Sequence, residues 1–498
     1  MSKNEQHFDR NACWASLIFL FVAILTPNVK IFFIVSFLYF AWLTINYSFA
    51  KAMIYGSLII GFFAVSQSHQ VLVVPRASIV SGQYLEGRHL GWSISPGLMI
   101  ALVGSGGFYW WQRQFEKKLK LLLHEKIILI MAGWGLLAAW YSALMPGLST
   151  FYVISGLIGS IWLAYLLVFS LNLTPSAWRK IIQTIFQLII ILILYESLIV
   201  FLQTLYQGPI GLLIENTKIA PVFGLGADEK TGGFRPFGLS FHPNGLANQH
   251  LVLLSSLLLL KSHLGKQRAF WRKLFKLAVT TSSIVIILSL SRAAFIALGI
   301  GVGIALLRHP NWFKQAKYFV KQEIDKVQLH HKLLIILLGL FLIFKFSDRM
   351  LNSVYAFSSE GGVSTRLVQY QEAWAVFLHS PFFGIGDGMF IPTSFQLFPK
   401  GVMTYFPENV HNGFFLLLVE RGAVGLFLSL SFIYLLLKSV AASSLSRVSK
   451  TMIYSGIVAS LCMMIFHPER NFMSLLVSIS IALLHYEKNR STKNTSKN

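Results

Sequence analysis

Apolar runs of roughly 14 to 27 residues follow one another along most of this 498-residue chain, separated by short polar links, and each is long enough to cross a ~30 Å hydrocarbon core upright or tilted. Charged residues make up 12% of the chain, against roughly 25% in an average soluble protein. Together these exclude a cytosolic globular enzyme. The expected fold class is all-α: a polytopic helical membrane bundle of about 12–14 transmembrane helices.

Expected spans cover residues 12–26, 31–46, 52–66, 94–111, 127–144, 151–171, 181–206, 245–260, 277–290, 293–307, 333–346, 412–437, 451–466 and 471–486. Fourteen is an upper count, because residues 279–307 are short for two full crossings and read as a broken pair. The polar start followed by an apolar run resembles a signal peptide. No small-residue cleavage site follows, so it reads as a retained first span.

Forty-two Lys and Arg against nineteen Asp and Glu leave a net charge of +23. Such a balance can mark a nucleic-acid binder, but here it collects in short links. Residues 261–276 hold six bases and no acid, and residues 308–332 hold six bases and two acids. Links of that kind stay cytoplasmic, so the basic surplus reports topology and no nucleic-acid partner is expected. Alternation then puts both termini in the cytoplasm and places residues 67–93, 208–244, 347–411 and 467–471 outside the inner membrane. Cys13 and Cys462 both fall in apolar spans and offer neither a disulfide framework nor a metal cluster.

The longest external segment, 347–411, carries five acids and three bases, and long loops in compact architectures are usually functional. Within it Leu367, Tyr370, Trp374 and Phe377 recur at helical spacing with Arg366, Gln369 and Glu372 between them, which reads as an amphipathic helix on the membrane surface. Pro381, Gly384, Gly386 and Gly388 then break the chain into turns.

No nucleotide fingerprint, HExxH motif or nucleophile elbow is present. Asp228 and Glu229 fall short of a usual cation site, so no metal and no cofactor are expected. What remains is a set of arginines and one histidine. Arg235 precedes a span in the stretch Phe234 to Asn244, and Arg292 sits where two short spans meet. An arginine at membrane depth costs ~2.5 kcal/mol or more and normally faces a protein interior or a watery cavity; the bland alternative is a snorkelling anchor. Arg366 opens the amphipathic helix, and His411 ends the external loop beside Asn412. Glu420 and Arg421 most simply neutralise each other or mark a break before Gly422. Glu196, mid-span, reads as a satisfied buried carboxyl or as a proton relay.

In order and spacing these pieces resemble the O-antigen ligase and O-antigen polymerase family. The matching elements are Arg235-Pro-Phe-Gly with Pro243-Asn-Gly-Leu-Ala247, Ser291-Arg-Ala-Ala294, and Thr365-Arg366 leading into Glu372-Ala-Trp374. Pro381-Phe-Phe-Gly-Ile-Gly386 and Val410-His-Asn-Gly413 with Glu420-Arg-Gly-Ala-Val-Gly425 complete them. They cover residues 233–425; the first 200 residues match only as a hydrophobic scaffold. The resemblance implies a membrane-embedded, metal-independent glycosyltransferase with a large external loop. In it His411 would hold the essential histidine position, Arg235, Arg292 and Arg366 the arginine positions, and Asn244, Asn412 and Glu420 supporting ones.

Its expected donor is a glycan on a polyprenyl (undecaprenyl) diphosphate carrier, and its acceptor the lipid A core or a second lipid-linked glycan, outside the inner membrane. Guanidinium groups would hold the diphosphate by paired hydrogen bonds and a near-neutral histidine would deprotonate the acceptor. With one base opposite the leaving group, direct displacement with inversion is expected. Ligase and polymerase remain alternatives at this level, beside a pilin-glycosylating relative. A secondary transporter would show interrupted helices in both halves, and the anomalies fall only in the second. The expected organisation is a transmembrane scaffold over 1–206, a catalytic region over 207–438, and a closing hairpin and tail over 439–498.

Overall fold

A computed structural model describes residues 3–26, 29–62, 71–72, 93–94, 121–169, 175–212, 227–228, 233–240, 242–264, 268–312, 363–404, 409–467 and 473–495. Within them the helices are α1 (Lys3–Ile24), α2 (Val29–Asn46), α3 (Phe49–Phe62), α4 (Leu123–Tyr141), α5 (Pro146–Phe169), α6 (Pro175–Tyr206) and α7 (Pro243–Leu264). They continue with α8 (Ala269–Leu288), α9 (Arg292–Arg308), α10 (Val363–His379), α11 (Phe390–Leu397), α12 (Gly413–Ala442), α13 (Arg447–Phe466) and α14 (Ser474–Thr495). A 3-10 turn at Val402–Thr404 and two antiparallel pairings complete the described elements: β1 (Val71–Leu72) with β2 (Ser93–Ile94), and β3 (Ala227–Asp228) with β4 (Gly233–Phe234).

The chain is an all-α, multi-pass membrane protein. By length and composition α4, α6, α12 and α13 can each cross a membrane, and α1, α2 and α3 contain shorter apolar stretches. Expected spans 94–111 and 333–346, most of the link 308–332 and the loop start at 347–362 lie outside the described residues. Where span and helix are both visible, the helix often runs past the apolar run. Thus α8 begins at Ala269 inside the basic link, because Trp271, Leu274 and Phe275 pack against the core there. With those turns added α8 is about 30 Å long, and it meets α9 at a break in the chain.

At the centre stands α6, which packs against α1, α3, α7 and α8. Ile181, Ile182, Ile185, Phe186, Leu188, Ile189, Ile190, Ile191, Leu192 and Ile193 are all buried, so this stretch of the helix is enclosed on every side, as in a core helix, while Leu198 and Phe201 further on are exposed. α7 packs on α6, α8, α13 and α14, while α4 packs on α12 and α5 on α14. Helices from both ends of the chain therefore share one bundle. Phe21, Phe37, Trp140, Phe201, Phe270 and Phe427 are exposed on its outside, a surface suited to lipid rather than water.

Two breaks shape the site. Between α8 and α9 Leu290 takes a left-handed conformation (φ 49°), Ser289 Oγ donates to Ile286 O at 2.7 Å, and Ser291 caps α9 by accepting from the Ala294 amide at 3.3 Å. Inside α12 the chain kinks at Gly422 (φ 68°). The carbonyls released there are not left bare: Ile385 N–H donates to Val419 O at 3.0 Å, Gly386 N–H to Glu420 O at 2.8 Å, and Trp134 Nε1–H to Arg421 O at 2.9 Å. Broken helical backbone at membrane depth is tolerated only when protein supplies such partners.

One local expectation is refined and another corrected. Of the two readings of Glu420 and Arg421, the break before Gly422 is seen; Arg421 forms a bidentate pair with Asp387 at 2.7 and 2.5 Å, and the Glu420 charge also acts on it. In α10 the buried face is Gln369, Glu372, Ala373 and Val376, whereas Leu367 and Trp374 are exposed. Burial of the polar pair is stabilised by specific partners. Glu372 accepts from Val402 N–H at 2.6 Å and Ser394 Oγ–H at 3.0 Å, and Gln369 meets His411.

Candidate functional site

The loop before α7 is held by α6. Gln203 Oε1 accepts from the amides of Phe237 (3.2 Å) and Gly238 (2.9 Å), Gln203 Nε2 donates to Gly238 O at 3.2 Å, and Glu196 Oε1 accepts from the Leu239 amide at 3.4 Å. Gly238 sits at φ 58°, where a Cβ would lie 2.8 Å from Leu246 Cδ1, so a side chain is excluded both by conformation and by space. Phe237 is buried beneath it. The clamp aims Arg235 at the α8–α9 break: Nε and one terminal nitrogen donate to Ser289 O at 3.1 and 2.8 Å.

Arg292 is the first residue of α9, behind the Ser291 cap, and is exposed. A cation at a helix N-terminus opposes the macrodipole. Arg366, exposed in the first turn of α10, adds like charge, since the two guanidinium groups act on one another. Neither arrangement stabilises the empty site, and both favour an anion placed there.

His411 is half-buried at the mouth of α12. Its Nδ1 lies 3.4 Å from Gln369 Oε1, a contact in which the Nδ1–H tautomer would donate. Tyr370 Oη–H donates to the His411 carbonyl at 3.2 Å. Asn412 Oδ1 accepts from the amides of Phe414 and Phe415, both at 3.0 Å, so this side chain caps α12 and thereby positions its neighbour. Glu420 is buried at the kink, where its backbone carbonyl accepts from the Gly386 amide and its charge acts on Arg421. Asn244 contributes its amide to His242 Nδ1 at 3.0 Å.

His242 joins the separate pieces. Its pKa is held well below the ordinary histidine value, first by enclosure and then by the charges of His467, Arg235, His411 and Arg366. These groups, with Arg292 through Arg366, therefore act electrostatically on one another's neighbourhood. Sequence reading singled out the stretch containing His242 without assigning the residue. The available signal was a histidine at the N-cap of α7, where Asn, Asp or Ser is usual. Glu196, by contrast, is fully buried 3.5 Å from His250, whose Nδ1 meets Ser282 Oγ at 3.0 Å, a pairing inside the bundle. Asp228 lies in β3, and Glu229 is outside the described residues.

Among the described residues no group of three or more His, Cys, Asp or Glu is placed to hold a metal ion. Three guanidinium groups, two of them exposed, beside an imidazole suit an anionic ligand and a proton transfer. Compared with known families, residues 277–430 match the model described as O-antigen ligase. No curated protein matches the chain.

Proposed function

Taking residues 277–430 as an O-antigen ligase family region, with the membrane glycan-transfer role on lipid-linked glycans that this family carries, we propose that the chain transfers a glycan from a polyprenyl diphosphate carrier to an acceptor hydroxyl at the outer face of the inner membrane. The observation that carries the reading is the juxtaposition of the His411 imidazole, set against Gln369, with guanidinium groups that act on the same neighbourhood. In this mechanism Arg292 and Arg366, with Arg235 beside them, bind the diphosphate through charge-assisted hydrogen bonds. His411 Nε2 takes the proton of the acceptor hydroxyl. The acceptor oxygen bonds to the anomeric carbon as the bond from that carbon to the phosphate oxygen breaks, and the polyprenyl diphosphate leaves with the electron pair. One base opposite the leaving group gives inversion.

His411→Ala should lower transfer at least ~10²-fold while leaving membrane insertion intact; activity above a tenth of wild type contradicts the role of His411. The acceptor is read as lipid A core, since exposed Trp374 and Phe382 offer aromatic surface beside a membrane-embedded acceptor. Deleting the gene in a host that makes lipopolysaccharide should then leave unmodified core and accumulated polyprenyl-linked polymer on a glycan gel. Core capped by a single repeat unit would instead make the enzyme a polymerase.

A further inference from the structure

We propose that His242 is a further donor-binding residue of this site, presenting its Nε2–H to a phosphate oxygen of the lipid diphosphate; the inference rests on the glycan-transfer reading above. Its Nδ1 accepts from the Asn244 amide at 3.0 Å, which puts the proton of the neutral ring on Nε2. Nε2 lies on the opposite edge of the five-membered ring and so is turned away from the α7 backbone. The residue keeps accessible surface even though its neighbours crowd it, and its ring lies 5.9 Å from the His467 ring at a tilt of 43°, so it is not consumed by stacking. The charges of His467, Arg235, His411 and Arg366 act on the ring and disfavour a further positive charge on it. A neutral N–H donor adds a hydrogen bond to an anion there without adding to the repulsion among cations already crowded together.

The competing account is that His242 only caps α7. As a cap it is a poor choice beside Asn, Asp or Ser, and capping uses Nδ1 alone, leaving Nε2 unexplained. The two accounts separate by substitution. Asn at this position keeps an oxygen for the Asn244 amide but lacks a donor that reaches as far as Nε2; Gln carries its amide nitrogen about that far and caps poorly.

The experiment titrates undecaprenyl diphosphate into the purified full chain in detergent, by calorimetry, with thermal unfolding recorded for each variant. His242→Asn should keep the wild-type unfolding midpoint and weaken binding about 10- to 100-fold, the value of one hydrogen bond to a charged group. His242→Gln should recover most of that loss. Wild-type affinity in His242→Asn, or tight binding by Asn with weak binding by Gln, would overturn the inference and leave a cap. If His242→Asn does not fold, Gln decides: near-native affinity supports the inference and lost affinity overturns it. Failure of the wild-type chain itself to bind would instead remove the reading on which the inference stands.

Discussion

Arg235 and Arg292 differ in how much of each guanidinium is committed. Arg235 spends two donors on Ser289 O and thereby ties the loop before α7 to the α8–α9 break. Arg292 is exposed at the start of α9 and faces the like charge of Arg366, an arrangement that makes sense around an anion. Arg292→Lys keeps the charge and has nearly the same helix propensity, but loses the bidentate fork. Glycan transfer by Arg292→Lys should therefore fall at least about tenfold, since a hydrogen bond to a charged group is worth ~1.5–3 kcal/mol, with insertion unchanged. Full transfer activity in that variant would mean that a point charge suffices.

Among the elements, the kinked helix α12 and the glycine-rich turn that serves it form one unit. Gly384, Gly386, Gly388 and Gly422 all have positive φ, and a Cβ at Gly422 would collide with Phe382 O. Pro381 O accepts from the Ala423 amide at 2.8 Å, while Ile385 and Gly386 donate to the carbonyls before the kink. The turn thus replaces the helical partners that the kink removes, and the Arg421–Asp387 pair locks the two together. Gly422→Ala should destabilise the protein by at least ~1–2 kcal/mol from conformation alone, before any collision, seen as a lower thermal midpoint in detergent. Gly133→Ala in α4, where a Cβ meets nothing within 4 Å, is the control and should be neutral or slightly stabilising. Equal midpoints for the two variants would show that the turn does not support the kink.

Across the whole molecule, three helices run between a basic end and the proposed site. α8 goes from exposed Arg272, Lys273 and Lys276 to the break at Ser289, α13 from Arg447 and Lys450 to His467, and α12 from His411 to Lys438. Basic ends belong in the cytoplasm, which supports a site on the outer face. Lys400, exposed between α11 and the 3-10 turn, offers a test, because the native Cys13 and Cys462 are buried and contribute little background. Lys400→Cys should react with an impermeant thiol reagent in intact spheroplasts; labelling only after lysis would invert the topology.

The all-α membrane class was legible in the sequence because the length and polarity of each run depend only on local composition, and a hydrocarbon core accepts few alternatives. The motif residues Arg235, Arg292, Arg366 and His411 could likewise be picked out along the chain, since charge in an apolar setting is conspicuous. Their grouping was not legible, nor was the role of His242, because the groups that act on it come from the α7 approach, α10, the α12 mouth and the end of α13. The same holds for Gln369 and Glu372, read as the polar side of a surface helix yet buried by partners 42 and 30 positions away. Arg421 forms its bidentate pair with Asp387, 34 positions back. Hydrophobic periodicity reports how a segment meets its solvent. Which buried polar group meets which depends on contacts distant in sequence, and those are decided only when the helices pack.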